Sequence, residues 1–159
     1  CDSILTGSFV GVVRQWCITD GRCTREFLGH QDVRHIALTP DASLLAVSAF
    51  DSASIWKAET GERLWVVGQR NRGYGHGEFS ANGAWLLDYH GIDYGIDYEI
   101  WCMKTGTRSC ILHGHFREGQ FTGITHAKWS DLVPWLITSS TDGDVQLWCP
   151  ATGECLLTV

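Results

Sequence analysis

Trp16, Trp56, Trp101 and Trp148 recur at intervals of 40, 45 and 47 residues, and each is followed five positions later by glycine. The strings are WCITDGRC, WKAETGER, WCMKTGTR and WCPATGEC, with Gly21, Gly61, Gly106 and Gly153 at the shared position. Glycine there supplies the positive φ of a tight turn, and alternating apolar residues flank it, so each unit carries a strand, a turn and a strand. A repeat of this length restricts the chain to architectures made by stacking one supersecondary unit, because a single unit cannot bury its own apolar faces.

Upstream of these hairpins lies a second set: VRHIALTPDASLLAVSAF, YGHGEFSANGAWLLDY and ITHAKWSDLVPWLITSS. They align on His35, His76 and His126, each followed three residues later by a bulky apolar residue, Leu38, Phe79 or Trp129. One unit is therefore four short strands. The first unit, ILTGSFVGVVRQW, supplies only the later strands, so fifteen strands are expected, three in the first unit and four in each of the others. Helical periodicity is absent, and the fold class is all-β, built from four-stranded antiparallel sheets.

Length and charge exclude several functions. With 159 residues, 44% of them apolar and 19% charged, the chain reads as one globular domain, and no apolar run is long enough for a membrane-spanning helix. Neither a secretory signal nor a transit peptide is visible. The net charge is -6 and the twelve basic residues are scattered, so no basic stripe exists to neutralise phosphates, and nucleic acid is not an expected partner. Seven cysteines, an odd number, fit a reducing, intracellular and cytoplasmic setting better than a fully paired extracellular framework.

The repeat resembles the WD-repeat (WD40-type) β-propeller family, whose units run from a Gly-His pair to a Trp-Asp pair. Gly29-His30 and Gly114-His115 each place histidine 14 residues after the preceding repeat tryptophan, and TSSTDGDVQLW, residues 138 to 148, is the closest match to the family pattern. The resemblance implies a single propeller segment over residues 1–159, with blades at approximately 1–28 (partial), 29–67, 68–113 and 114–159. That is about 3.75 blades, either part of a larger ring or a chain that closes with another copy. It also implies a structural hydrogen-bond network of His30, Asp51 and Trp56 in one blade, and of His115, Asp142 and Trp148 with Thr138 or Ser140 in another. Departures are informative too. Cys17, Lys57, Cys102 and Cys149 stand where the family has Asp after Trp; Gln69-Arg70 replaces Gly-His in the third unit; and Val10 replaces the turn Asp in the first. The network is expected to be incomplete in those two units.

In a four-stranded meander the connections alternate between the two ends of the strands, so inter-blade loops and second-to-third-strand turns share one face. The insertions fall in those loops. DYHGIDYGIDY, residues 88 to 98, mixes Asp88, Asp93 and Asp97 with Tyr89, Tyr94 and Tyr98, a combination of aromatic rings and acceptors enriched in binding surfaces. FREGQFTG, residues 116 to 123, brings Arg117 and Phe121, and GQRNRG brings Arg70 and Arg72. The resemblance adds Asp32, Arg34, Phe50, Thr125 and Thr141 on the same face. Together they read as a docking face for a protein or peptide. The alternative is that the tyrosines cap the blade's own core and that loop insertions carry no function.

Chemistry is sparse. The acidic insertion lacks the spacing of an EF-hand loop, and no C-x₂-C pair points to zinc. Cys17/Cys23 and Cys149/Cys155 recur across the same predicted hairpin, so they read as buried structural thiols, with a cross-strand disulfide as the alternative. His35, His76 and His126 share one strand position, suggesting packing or a ladder of rings rather than a catalytic base. No nucleophile elbow or phosphate-binding loop is present. The chain is expected to be a non-catalytic recognition scaffold without metal or cofactor, part of a larger multidomain or signalling protein. The alternative is a structural element that completes a propeller with another copy or with the rest of a longer chain.

Overall fold

The computed structural model describes residues 2–50, 52–67, 74–92, 95–117 and 119–159; for residues 74–75, 90–92, 95–97, 116–117 and 120–121 it describes the main chain alone. The first sheet contains β1 (Ser3–Gly7), β2 (Val13–Cys17) and β3 (Cys23–Phe27). The second contains β4 (Val33–Leu38), β5 (Leu44–Ala49), β6 (Ala53–Lys57) and β7 (Arg63–Val67). The third contains β8 (Tyr74–Phe79), β9 (Trp85–Ile92), β10 (Gly95–Cys102) and β11 (Thr107–Leu112). Next comes a short ribbon of β12 (His115–Arg117) and β13 (Gln120–Thr122). The last sheet contains β14 (Ile124–Trp129), β15 (Leu136–Ser140), β16 (Val145–Trp148) and β17 (Cys155–Thr158). Neighbouring strands pair in sequence order and antiparallel throughout, so the all-β reading and its grouping of strands hold, with one ribbon added.

The repeat is visible in the backbone itself. Gly21, Gly61, Gly106 and Gly153 all lie at φ between 68° and 75°, and each donates its N–H to the carbonyl four residues earlier at 2.8–2.9 Å. Immediately before each repeat tryptophan the register slips, between Gln15/Trp16, Ile55/Trp56, Ile100/Trp101 and Leu147/Trp148. A bulge of this kind sharpens the local twist and re-aims the side chain that follows.

Packing occurs between sheets. Period-two alternation gives each interior sheet two apolar faces. Val13 and Phe27 of the first sheet meet Leu45, Val47, Trp56 and Ala58 of the second. The opposite face of the second sheet, Ala46, Ala53, Ile55 and Val67, takes Phe79, Leu86 and Met103 of the third. The third then presents Leu87, Tyr98, Ile100 and Leu112 to Ile124, Trp129 and Leu136 of the last. Full burial of one such aliphatic side chain stabilises by about 1.5–3 kcal/mol, so these three junctions are the main source of cohesion. The inner strands approach closely: a Cβ at Gly77 would stand 2.9 Å from Ser48 Oγ.

Two expectations change. Residues 88 to 98 are strand rather than surface loop where they are described: β9 and β10 run on to an Ile92–Gly95 pair, and Tyr98 is 2% exposed. The cysteines are not uniformly buried either, since Cys23 and Cys155 are exposed free thiols. Cys17 is disulfide-bonded, but not to Cys23 across the hairpin.

Candidate interaction face

Two buried networks anchor the connections that carry the candidate face. In the last sheet, Trp148 Nε1 donates to Thr138 Oγ1 at 2.8 Å, and the same oxygen lies 2.7 Å from His115 Nε2. On the other side of the fully buried imidazole, Nδ1 lies 3.5 Å from Asp142 Oδ1, long for a hydrogen bond. Thr122 donates to Asp142 Oδ2 at 2.8 Å, and Ser140 donates to Thr122 at 2.8 Å. The ribbon β12–β13 therefore supplies both His115 and Thr122, the latter a participant that sequence reasoning missed. Hydrogen bonds from the Asp144 N–H and then the Thr122 hydroxyl, with the His115 charge beside them, hold the Asp142 carboxyl below the ordinary carboxylate range.

The second sheet reaches the same end differently. Trp56 Nε1 donates to Ser54 Oγ at 2.7 Å, and Ser54 Oγ lies 3.2 Å from His30 Nε2. Thr138 is on the second strand of its sheet and Ser54 on the third, at cross-strand neighbouring positions, so the hydroxyl keeps its place in space while changing its place in sequence. That shift explains why Ser54 escaped notice. Asp51 lies outside the described residues. In the first sheet Trp16 donates to Thr6 at 2.9 Å. The third sheet has Asp88 and Glu99 at the two equivalent positions; Arg108 binds Glu99 at 2.7 Å, and the buried Trp101 Nε1 makes no hydrogen bond.

Where the first two sheets meet, one cluster of turn residues is exposed. The turn after β1 packs on the connection before β4: Val33 N–H donates to Ser8 O at 3.3 Å, and a Cβ at Gly11 would collide with His30 O at 2.0 Å. Phe50 N–H is shared between the carbonyls of Gln31 and Asp32 at 3.0 and 3.1 Å. Asp32 takes the left-handed conformation with φ 54° and pairs with Arg34, whose guanidinium lies 5.6 Å over the Phe9 ring. Phe9 is 75% exposed and Phe50 41%, with Val10 beside them. Phe9 was missed in sequence, although an apolar Phe-Val pair inside a glycine-bounded turn was a usable signal.

The remaining predicted positions are less concentrated. Thr125 is exposed and its hydroxyl lies 3.0 Å from Ser139 Oγ; Thr141 is exposed and held by its N–H to Gly123 O at 3.1 Å. Arg70, Arg72, Asp93 and Tyr94 lie outside the described residues, as do the side chains of Asp97, Arg117 and Phe121. Tyr98 belongs to the core rather than the face, because its strand neighbours Leu112 and Ile100 bury it against the last sheet. Tyr89 is half-buried, stacked on His76 at 5.0 Å and packed against Tyr98 at 5.2 Å. The line of rings continues to His35, 3.6 Å from His76, whereas His126 is exposed. Burial first, then the charge of His76, lowers the His35 pKa to about 4. Burial, with Tyr89 second, raises that of Tyr98 to about 12.

Among the described residues no group of three or more His, Cys, Asp or Glu side chains could hold a metal ion, and no helix is long and apolar enough to cross a membrane. Sheets stacked face to face, one meander of three strands and three of four, each with a register slip before its repeat tryptophan, define an all-β protein of about four propeller-type blades. Residues 21–54 and 106–149 match the family model described as WD domain, G-beta repeat, and these stretches are WD40 repeats. Both contain a histidine of the buried networks, His30 and His115; most of the third sheet, which lacks that histidine, lies outside the match. A comparison with curated proteins finds no match for the chain. The fold and the two matched repeats are consistent with a WD40-type interaction scaffold.

Proposed function

We propose that the chain is a non-catalytic recognition module that binds a protein or peptide through the face formed by the inter-blade connections and the second-to-third-strand turns. Under this reading residues 1–159 act as one domain inside the cell, within a larger multidomain or signalling protein. The observation that carries it is the cluster of Phe9, Val10, Arg34 and Phe50: exposed rings and a guanidinium, held by backbone hydrogen bonds and an ion pair to Asp32 rather than left loose. Pre-organised aromatic and Arg side chains bind at a low ordering cost, and exposed apolar atoms gain by being covered. Thr125, Thr141, Arg70, Arg72, Asp93, Tyr94, Asp97, Arg117 and Phe121 extend the same proposed face, with Tyr89 at its inner edge.

The test is selection of binders from a displayed random-peptide library, followed by titration of the selected peptides against a Phe9→Ala/Arg34→Ala/Phe50→Ala variant. Loss of roughly tenfold or more in affinity with an unchanged thermal midpoint is expected, because exposed side chains contribute little to folding. Equal affinity of the variant for every selected peptide would move the binding surface elsewhere. A second reading, that the chain is an assembly element, is favoured by the apolar outer faces of the first and last sheets.

A further inference from the structure

Each junction between sheets repeats one contact near its outer edge: a residue on the fourth-strand position of one sheet lies against the tight turn that follows the repeat tryptophan of the next. Added Cβ atoms at Gly61, Gly106 and Gly153 would meet Arg25, Trp65 and Cys110, which occupy the same strand position in their sheets. In the first junction Arg25 donates to Ala58 O at 2.6 Å; in the last, Cys110 Sγ lies 4.0 Å from Pro150 O, the equivalent carbonyl. The residue that opens the turn is Lys57, Cys102 or Cys149, each accepting the N–H of the turn glycine at 2.8–2.9 Å. Only the last of these three contacts therefore has a cysteine on both sides, and both thiols are free.

Local bonds hold that contact in place. Ser109, beside Cys110 on β11, donates to Pro150 O at 2.8 Å and lies 3.1 Å from Ala151 O, so the outer strand of the third sheet is tied to the turn that Cys149 opens. Both thiols are partly exposed, within reach of a small solute. Their chemistry is unequal. Hydrogen bonds from the Thr152 hydroxyl first, then from the Thr152 and Ala151 N–H groups, outweigh burial and the Glu154 charge and hold the Cys149 thiol below its ordinary value. Burial, and then the charge of Cys149, push Cys110 up to about 11.

We propose that Cys110 and Cys149 are a peroxide-oxidisable thiol pair, closing to a disulfide that ties β11 of the third sheet to the turn after β16 of the last. The Cys149 thiolate attacks one oxygen of hydrogen peroxide: an S–O bond forms, the O–O bond breaks and hydroxide leaves, so the sulfur is oxidised to sulfenic acid and the peroxide is reduced. Oxidation also removes the Cys149 charge that disfavours ionisation of Cys110. The Cys110 sulfur then attacks the Cys149 sulfur; the S–S bond forms, the S–O bond breaks, and the Cys110 proton leaves with the hydroxyl group as water. Cys102 is the internal comparison. It opens an equivalent turn, but Trp65 stands where Cys110 would be, so its oxidation stops at the sulfenic acid.

The experiment is peptide mapping of the chain without reduction, before and after hydrogen peroxide, on the monomeric fraction of a dilute sample. Trypsin with a glutamate-specific protease separates Cys149 from Cys155 by cutting after Glu154. A Cys110–Cys149 linked peptide is expected after peroxide, together with a higher urea midpoint than that of the untreated chain. Cys110→Ser should leave Cys149 as a sulfenic acid that a cyclic 1,3-diketone labels, and Cys149→Ser should slow loss of the Cys110 thiol roughly tenfold or more. Circular dichroism checks that both variants fold, and the wild-type map decides the linkage without them. Cys110 remaining a free thiol, Cys149 linked to Cys155 instead, or equally fast oxidation of Cys110 in Cys149→Ser would each overturn the proposal.

Discussion

At the scale of single residues, Thr138 is the most consequential side chain in the last sheet. Its hydroxyl oxygen serves both Trp148 Nε1 at 2.8 Å and His115 Nε2 at 2.7 Å, and it is completely buried. Thr138→Val keeps the volume and the β-branch, so it isolates the loss of those bonds. Two ring nitrogens lose their partner, that of His115 in a fully buried place and that of Trp148 in a half-buried one, which costs about 2–4 kcal/mol in total. Urea denaturation checks this, with Thr125→Val as the control: its hydroxyl also bonds Ser139, but at the surface, and its stability should change by about 0.5 kcal/mol or less. Equal midpoints for the two variants would show that the network does not hold the connection. The tryptophan and the histidine were legible in sequence because each sits at a constant offset. The hydroxyl was not, because the fold needs an oxygen at a point in space, and either of two facing strands can deliver it, as Ser54 does for Trp56.

Strands and hairpins explain the largest misreading. The string DYHGIDYGIDY looks like a polar insertion, yet Ile92, Tyr94, Ile96 and Tyr98 recur at every second residue, the period of an extended strand, and β9 and β10 pair from Trp85–Cys102 out to Ile92–Gly95. Register then places His76, Tyr89 and Tyr98 side by side across three strands. The four-strand units themselves were legible, since every turn glycine follows its repeat tryptophan at the same spacing. The depth to which a longer hairpin is buried was not, because that depends on the neighbouring sheet, which reaches Tyr98 through Ile124, Trp129 and Leu136. The consequence is that Tyr98→Ala acts on folding rather than on binding. It removes a buried ring between two sheets and should cost about 3–5 kcal/mol, read as a lowered denaturation midpoint. A variant that melts like wild type would return Tyr98 to the surface and to the candidate face.

For the whole molecule, the three junctions differ in their response to acid. The junction between the second and third sheets contains His35 against His76, ring centroids 3.6 Å apart, with Ser48 paired across the strand from His35 and Tyr89 beyond His76. Burial lowers the pKa of both histidines, that of His35 to about 4, from an ordinary value of 6.5. Between those values the unfolded chain binds protons that the folded chain refuses, so stability falls as pH falls from about 6.5 and the loss levels off below the folded pKa near 4. Glu78 opposes this: burial raises its pKa, so the folded state takes up its proton first and gains stability as pH drops. Asp142 contributes in the same direction as the histidines but at lower pH, because its lowered pKa gives stability that is lost only as the carboxylate protonates. The window between pH 6.5 and 4.5 therefore reports chiefly on the histidine pair. His35→Phe keeps a ring in the stack and removes the titration, and it should roughly halve the fall in urea midpoint across that window. Amide exchange at pH 4.5, corrected for intrinsic rates, should show β4, β5 and β8 opening before β14 and β15, whose junction holds tyrosine and tryptophan instead of paired imidazoles. Uniform loss of protection along the chain, or an unchanged pH dependence in His35→Phe, would mean that the acid response resides in the carboxylates and not at this junction.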